Sequence, residues 1–285
     1  MPELPEVEVL CRRLDERLSQ KRFERLELAS IAALKTFDPP LSALLHRPVE
    51  QVARRGKFVC IGVESDWLVL NLARSGWLRW REKEQARSRP SRGPLALRAR
   101  LAQGGGFDVT EAATEKRLAI WVVHELSAIE PLASLGPEPL ESSFTLSLFK
   151  ELLAAEKGDL KHALSRQSLI AGVGNAYSDE ALHAARLSPF KQAAKLTETE
   201  ASSLYDALRR VLEEAITRAE HLELGELKDD KRAGMAVHGR TGQPCPVCGD
   251  TIAEVSFATR SLQYCPTCQT GGRKLADRRL SRLLK

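Results

Sequence analysis

The chain has 285 residues, of which 43% are hydrophobic and 28% are charged, so it is long and apolar enough to form two domains with buried cores. No apolar run is long enough to cross a bilayer, and the acidic start lacks the basic and apolar regions of a secretory signal, so we expect a cytoplasmic protein without a membrane partner. The formal net charge is +5, and residues 228–285 alone carry +6, which favours a polyanion such as nucleic acid as partner, a solvated basic tail being the alternative.

The chain start combines an amine and a carboxylate. Removal of Met1, which is usual before proline, would expose the secondary amine of Pro2 beside Glu3. An α-amino group has a pKa of about 7.7–8.0, so part of it is neutral and can attack an electrophilic carbon while a neighbouring acid protonates the leaving group. The alternative is a simple helix start, since proline and acidic side chains both suit a first turn. Apolar residues at helical spacing over 4–18 predict a helix that anchors this terminus.

Short extended runs follow the helix and are separated by turn signals such as Glu64-Ser65-Asp66 and Gly104-Gly105-Gly106. They predict strands over 23–28, 49–53, 57–63, 67–72, 77–80, 95–102, 107–110 and 118–123. We therefore expect residues 1–130 to form a β-sandwich or a partly open barrel with one N-terminal helix. The charged stretch from Arg81 to Gly93 is predicted to be a mobile surface loop.

A linker at 131–146, rich in proline, precedes a region of helical patterns. Helices are predicted over 147–155, 160–165, 173–185 and 197–219, with a capping box at Thr197 to Glu200, so residues 147–227 form a helical domain. The turn from Gly172 to Asn175 exposes backbone amides at a helix start and could bind a phosphate oxygen. A simple helix-turn-helix with an asparagine cap is the alternative.

Four cysteines near the C-terminus have the spacing C-x2-C-x16-C-x2-C, which is typical of a structural zinc site with two knuckles. The ligands would be Cys245, Cys248, Cys265 and Cys268, holding one ion in a module over 228–285 that also contains the basic tail. Two disulfides are the alternative, disfavoured in a reducing cytoplasm. Cys11 and Cys60 lie in helical and strand patterns and are predicted to be small core residues.

Several separated motifs, taken in order, resemble one family. They are Pro-Glu-Leu-Pro-Glu-Val-Glu at 2–8, Arg-Arg-Gly-Lys at 54–57, Leu-Gly-Pro-Glu-Pro-Leu at 135–140, Ile-Ala-Gly-Val-Gly-Asn-Ala-Tyr at 170–177, Val-His-Gly-Arg at 237–240, and the four cysteines with Arg260 between them. Nearly end to end, the chain resembles the formamidopyrimidine-DNA glycosylases of the Fpg/Nei family. The resemblance implies an α+β multi-domain fold with an N-terminal β-sandwich carrying a helix, a helix–two-turn–helix domain and a C-terminal zinc finger.

The resemblance also implies catalytic roles for four residues. Pro2 is similar to the nucleophile that attacks C1′ of a damaged nucleotide and forms a Schiff base. Glu3 is similar to the acid that assists departure of the base and opening of the sugar ring. Lys57 matches the family's lysine that contacts phosphate and donates a proton during elimination. Arg260 matches the zinc-module arginine that contacts the phosphates flanking the lesion.

Five further residues are implied to bind DNA. Asn175 matches the phosphate-binding residue of the helix–two-turn–helix motif, and Glu6 a carboxylate near the nucleophile. The family fills the gap left by the flipped base with a methionine, an arginine and a phenylalanine, whereas this chain has Arg74 at the methionine position. A longer later loop contains Lys116 and places Leu118 at the phenylalanine position. These departures leave the lesion preference open.

The function implied is that of a bifunctional DNA glycosylase and AP lyase of base excision repair in the bacterial cytoplasm. Its partner would be double-stranded DNA containing a damaged base or an abasic site, bound by a monomer, with zinc serving structure and not chemistry. Two alternatives stay open: a Nei-like preference for oxidised pyrimidines, and a lesion-binding protein with little excision activity.

Overall fold

A computed structural model describes residues 2–82, 94–227, 231, 234–257 and 261–275. Its contacts divide the chain into two compact units. The first unit contains the residues up to Ser134 and the segment 219–227, and the second contains residues 135–218 together with the described residues from 231 onward. None of the described helices is long and apolar enough to cross a membrane.

The first unit consists of one long helix, α1 (Leu4–Leu18), a short helix α2 (Glu130–Ala133), and two four-stranded antiparallel sheets. The strand order is β1-β6-β7-β5 in one sheet and β2-β3-β4-β8 in the other. The strands are β1 (Phe23–Leu28), β2 (Val49–Arg55), β3 (Phe58–Val63), β4 (Asp66–Asn71), β5 (Gly76–Arg81), β6 (Leu95–Leu101), β7 (Gly106–Glu111) and β8 (Ala119–Val123). Because these strands form two separate sheets, the sandwich expected from the sequence is confirmed and the barrel is not formed.

Helix α1 covers the second sheet with its apolar face. Its apolar residues recur every three or four positions, and Leu4, Val7, Leu10 and Leu14 are fully buried. The helix packs on β2 and β3, and every residue of β3 is buried. Cys11 and Cys60 lie within this core, as predicted. The position of the chain start is thus fixed by the burial of one helix face.

The segment 219–227 was expected in the helical domain but belongs to the first unit. Leu224 and Leu227 are buried there, and the indole Nε1 of Trp77 donates a hydrogen bond to the Leu224 carbonyl oxygen at 3.3 Å. These two leucines lie beyond the helix predicted over 197–219, and no local pattern in the sequence indicates which of the two units they pack against.

The second unit is mostly helical, as predicted. It contains α3 (Leu146–Ala154), α4 (Leu160–Ser165), α5 (Asn175–Ala184) and α6 (Glu198–Ala219), whose last residue falls in the first unit, followed by a hairpin of β9 (Ala253–Ser256) and β10 (Ser261–Tyr264) and a short helix α7 (Pro266–Thr270). The predicted capping box of α6 is confirmed: Glu200 N–H donates to Thr197 Oγ1 at 3.3 Å and Thr197 N–H to Glu200 Oε2 at 2.9 Å.

The stretch predicted as a linker is partly packed. The N–H of Gly136 donates to the Gln167 carbonyl at 2.9 Å, and that of Ala171 to the Pro137 carbonyl at 3.0 Å. These bonds attach residues 136 and 137 to residues 167 and 171, which precede α5, so only the residues before 136 connect the two units.

Candidate active site and metal centre

Pro2 and Glu3 lie at the entrance of α1 and are both buried. Glu3 is the N-cap, and the carboxylate of Glu6 accepts a hydrogen bond from the Glu3 backbone N–H at 2.8 Å, as in a capping box. The Glu6 side chain is 4% exposed, so this bond is shielded from water. The amine-bearing residue and the neighbouring acid are therefore held in one place by the helix cap.

Lys57 lies in the tight turn between β2 and β3. We expected the strand to begin at Lys57, but it begins at Phe58, because Arg55 pairs with Phe58 and leaves Gly56 and Lys57 to close the hairpin. Gly56 has a φ of +55°, which favours glycine. The half-buried Lys57 side chain thus projects from a turn of defined conformation.

Arg74 is exposed at the tip of the turn between β4 and β5. In this turn Ala73 has a φ of +50°, and its N–H donates to the Asn71 side-chain oxygen at 2.9 Å. Gly76 N–H donates to the Leu72 carbonyl at 2.8 Å, and a Cβ at Gly76 would collide with that carbonyl oxygen. The turn is therefore tightly constrained, and it presents a cation.

The loop between β7 and β8 is organised by a buried carboxylate. Glu111 Oε1 accepts from the backbone N–H groups of Arg117 at 2.8 Å and Leu118 at 3.0 Å, and Lys116 Nζ donates to the Glu111 carbonyl oxygen. Leu118 is 2% exposed and approaches the turn at Gly76. The family resemblance places Leu118 at the position of the phenylalanine that helps fill the gap left by the flipped base. That role stays a prediction for Leu118, and its buried position does not favour it. Arg117, which we did not single out, is the exposed cation next to it.

In the second unit, Asn175 is the first residue of α5, and the N-cap is Gly174. The asparagine cap considered as an alternative is therefore not formed. Its side-chain amide donates instead to the Ser261 carbonyl of β10 at 2.7 Å. Gln167 braces the preceding turn by donating to the Val173 carbonyl at 2.6 Å and accepting from Gly172 N–H at 3.1 Å.

A buried ionic cluster below this turn was missed from the sequence. Lys161 Nζ donates to the Asn175 carbonyl at 2.5 Å, to Ser178 Oγ at 2.8 Å and to Asp179 Oδ1 at 2.6 Å. Asp179 Oδ2 also lies 2.7 Å from His238 Nδ1. The signal was present, because Ser178 and Asp179 are polar residues inside a helix that is otherwise buried.

Glu180 follows in α5 and receives three backbone N–H groups. They belong to Ala236, Val237 and His238 and lie 2.7, 2.9 and 2.8 Å away. Burial raises the pKa of Glu180, although these bonds partly counteract that effect. The carboxylate fixes the start of the Val-His-Gly-Arg motif against α5.

The four sulfur atoms of Cys245, Cys248, Cys265 and Cys268 lie within 4.8 Å of one another. The Cys245–Cys268 and Cys248–Cys265 sulfur distances are 3.9 and 3.4 Å. Tetrahedral zinc thiolate coordination, with zinc–sulfur bonds of about 2.3 Å, places sulfurs about 3.8 Å apart, so the set fits one zinc ion and not two disulfides. With four thiolates the coordination is closed, and the ion is structural.

One nitrogen approaches this sulfur cluster from α5. His183 Nε2 lies 3.3 Å from Cys245 Sγ. Burial, with a smaller effect of Arg186, lowers the pKa of His183. The short distance lets the ring form a hydrogen bond to the sulfur of this zinc ligand.

The predicted residue Arg260 and the stretch 83–93 of the predicted mobile loop lie outside the described residues.

Comparison with known proteins covers the same three regions. Residues 1–112 match the family model of the formamidopyrimidine-DNA glycosylase N-terminal domain, residues 135–223 its H2TH domain, and residues 242–271 the zinc finger found in FPG and IleRS. Formamidopyrimidine-DNA glycosylase of Desulfitobacterium hafniense is 32% identical over 280 residues, covering 94% of this chain and 100% of the relative. An uncharacterised formamidopyrimidine-DNA glycosylase-like protein of Mycobacterium tuberculosis is 53% identical over 152 residues, which cover 53% of this chain and 95% of that protein.

Solved structures agree with these matches. MutM (Fpg) from Thermus thermophilus is 33% identical with a TM-score of 0.80, covering 96% of this chain and 100% of that one. The Lactococcus lactis enzyme bound to DNA containing an AP site is 27% identical with a TM-score of 0.80, covering 94% and 99%. Since the N-terminal domain, the H2TH domain and the four-cysteine zinc finger are all matched in order, this chain belongs to the formamidopyrimidine-DNA glycosylase family.

Proposed function

We propose that this protein is a bifunctional DNA glycosylase and AP lyase of base excision repair. The observation that carries the proposal is the entrance of α1, where Pro2 and Glu3 are adjacent, buried and fixed by the bond to Glu6. Family membership supports it, as do the Lactococcus lactis structures with DNA containing an abasic site or a Fapy-dG lesion. The substrate is double-stranded DNA with a damaged base or an abasic site.

In the proposed reaction the lone pair of the Pro2 nitrogen attacks C1′ of the damaged nucleotide. The glycosidic bond breaks, and the base leaves with a proton that Glu3 supplies. The attack leaves an ammonium at Pro2. Its proton is lost and O4′ gains a proton as the bond between C1′ and O4′ breaks, which opens the sugar ring and gives an iminium whose positive charge acidifies C2′. Loss of the C2′ proton expels the 3′ phosphate, and a second elimination expels the 5′ phosphate. Water then hydrolyses the remaining bond between nitrogen and sugar.

The other predicted residues would bind the DNA while a base is out of the stack, a state that costs a few kcal/mol. Lys57 would contact a phosphate and donate a proton during elimination. Asn175 and Arg260 would contact phosphates flanking the lesion. Glu6, which holds the Glu3 backbone, would fix the acid. Zinc would keep the module that carries Arg260 rigid, and its four protein ligands exclude it from the chemistry.

Borohydride trapping tests the proposal. Reduction during turnover on abasic DNA should yield a covalent adduct, which mass spectrometry should map to a peptide that begins with Pro2. Glu3→Gln should slow excision of a damaged base by about 10²-fold or more, because the leaving base loses its proton donor. The same variant should retain most of the adduct with abasic DNA, where no base has to leave.

Glu16→Gln is the matched control, since Glu16 is an exposed glutamate of the same helix. It should behave like the wild type in both assays. An active protein that retains Met1, an adduct located on a lysine, or no adduct at all would contradict the proposed mechanism.

A second candidate function concerns the lesion. Arg74 is exposed in a turn where the family resemblance places a methionine, and Leu118 is buried where it places a phenylalanine. These differences favour either a Nei-like preference for oxidised pyrimidines or lesion binding with little excision. A panel of defined lesions distinguishes them: excision of oxidised pyrimidines supports the first, and tight binding without any excision supports the second. We also propose a monomer, which light scattering with and without DNA would check.

A further inference from the structure

Glu8 lies on α1 one turn beyond the capping residues and binds two arginines at once. Its Oε2 is 2.7 Å from Arg54 Nε, and its Oε1 is 2.9 Å from Arg12 Nε. Burial alone raises the pKa of Glu8, but the hydrogen bonds and charges of Arg54 and Arg12 outweigh it and hold the pKa below its ordinary value. The carboxylate is therefore ionised at neutral pH, and it joins two parts of the first unit.

Arg54, the first partner of Glu8, also contacts the turn that contains Lys57. The Arg54 side chain is 9% exposed, and its Nη1 donates to the Gly56 carbonyl oxygen at 3.2 Å. One guanidinium thus binds Glu8 on the helix and the backbone directly before Lys57. The Glu8 side chain is 23% exposed, so this ion pair is partly buried, and such a pair fixes geometry more than it adds stability.

Arg12, the second partner of Glu8, also contacts the segment 219–227. Arg12 Nη1 forms an ion pair with the Glu220 carboxylate, and Arg13 Nη2 donates to the Glu220 carbonyl oxygen at 2.6 Å. Five positions after Arg12, Arg17 lies 3.1 Å from Glu223. The outer face of α1 therefore holds the segment 219–227, which follows α6 in the chain.

We propose that Glu8 is a positioning residue that fixes the positions of the Lys57 turn and of the 219–227 segment relative to Pro2 and Glu3. Glu8 makes no contact with substrate in this role and acts through Arg54 and Arg12. The inference rests on the proposed function, because these relative positions matter only if several groups of the protein must contact one nucleotide at the same time. Misplacement of a reacting group by about 1 Å can cost about 10²-fold in rate.

Glu8→Gln tests the inference because glutamine keeps the shape and removes the charge. Its single-turnover rate of strand cleavage on abasic DNA should fall by about 10- to 100-fold. Glu16→Gln on the same helix, which removes an exposed ion pair with Arg13, should leave the rate unchanged. In Glu8→Gln, amide hydrogen exchange should accelerate in peptides covering both 54–58 and 219–227.

Two further variants test the Arg12 and Arg54 interactions of Glu8 separately. Arg12→Gln should accelerate exchange in 219–227 and leave 54–58 as in the wild type. Arg54→Lys keeps the charge but lacks the planar fork, so it should accelerate exchange in 54–58 only. It also replaces Glu8→Gln as the test if that variant does not fold.

The inference is wrong if Glu8→Gln matches Glu16→Gln in rate and in exchange at both segments. Failure of the proposed function is recognised separately, by the absence of a borohydride adduct in the wild type. In that case the exchange measurements still decide whether Glu8 holds the two segments.

Discussion

At the scale of single residues, Asp108 shows how a buried charge is tolerated in the first unit. It is 2% exposed on β7, and its oxygens lie 2.8 Å from Arg98 Nε and 2.7 Å from Arg81 Nε. Burial raises the pKa of Asp108, but the bonds and charges of the two arginines outweigh this and lower the pKa below its ordinary value. The ionised form is therefore bound more favourably in the folded state.

This lowered pKa predicts an acid-sensitive contribution to stability. A carboxyl group with a depressed folded-state pKa stabilises fully above its unfolded pKa of about 3.9, and the contribution disappears as the pH falls through the folded-state value. Asp108→Asn should lower the free energy of unfolding at pH 7 by about 3 kcal/mol, because two arginines lose their carboxylate.

Denaturant unfolding of both proteins between pH 7 and pH 2 checks this expectation. The difference between wild type and Asp108→Asn should be constant down to about pH 4 and shrink below it. A difference that stays constant through the acid range would show that the charge of Asp108 does not carry the effect.

At the scale of elements, the turn between β4 and β5 depends on Gly76. A Cβ at this position would collide with the Leu72 carbonyl and lie 2.9 Å from Leu118 Cδ1. Both neighbours directly adjoin Asn71 and Ala119, which form the last pair between β4 and β8. Gly76→Ala should therefore destabilise the protein by about 1–3 kcal/mol, as expected for overpacking. It should also displace the turn that presents Arg74.

Gly225→Ala is the matched control, because Gly225 is exposed and a Cβ there would meet nothing within 4 Å. It should be neutral or slightly stabilising, by about 0.4–1 kcal/mol. Thermal unfolding of the two variants checks the pair, and equal melting temperatures would refute the proposed constraint at Gly76.

Most elements could be predicted from the sequence, and the exceptions have a common cause. The strand from Leu95 to Leu101 is encoded by local alternation and the zinc ligands by local spacing, so no distant partner is needed to infer them. The bonds of Lys161, the burial of Leu118 and the docking of Leu224 depend on residues far apart in the chain. The periodic pattern of apolar residues within a short segment does not indicate which distant residues that segment contacts.

The candidate site divides in the same way. Pro2, Glu3 and Lys57 could be selected because a distinctive motif surrounds each of them. Glu8 could not, since its role appears only when Arg54 is seen to contact both it and Gly56. The start of β3 was misplaced by one residue for a related reason, because the register of the hairpin decides which residues form the turn.

At the scale of the whole molecule, the zinc module is integrated with the helical part of the second unit. His183 of α5 reaches Cys245, and Asn175 at the start of the same helix reaches Ser261. A structural zinc ion contributes folding free energy directly, so its loss should affect more than the two knuckles.

Removal of zinc with a chelator should therefore accelerate amide exchange in 243–257 and 261–270 and also in α5. Exchange in the two four-stranded sheets of the first unit should stay as in the zinc-bound protein, and added zinc should restore the original pattern. Unchanged protection of α5 after complete metal loss would show that the module folds independently of the helix.

The burial of Cys11 and Cys60 has a practical consequence for thiol chemistry. Both side chains are at most 3% exposed, and burial raises the pKa of the Cys11 thiol well above its ordinary value, so a colourless disulfide reagent should meet them only after denaturation. The remaining four sulfurs are shielded by the ion they bind. Titration with such a reagent would then release chromophore in two steps: four equivalents on chelation and two more on unfolding, six in total. The first step counts the zinc-bound sites in a preparation without a separate metal assay.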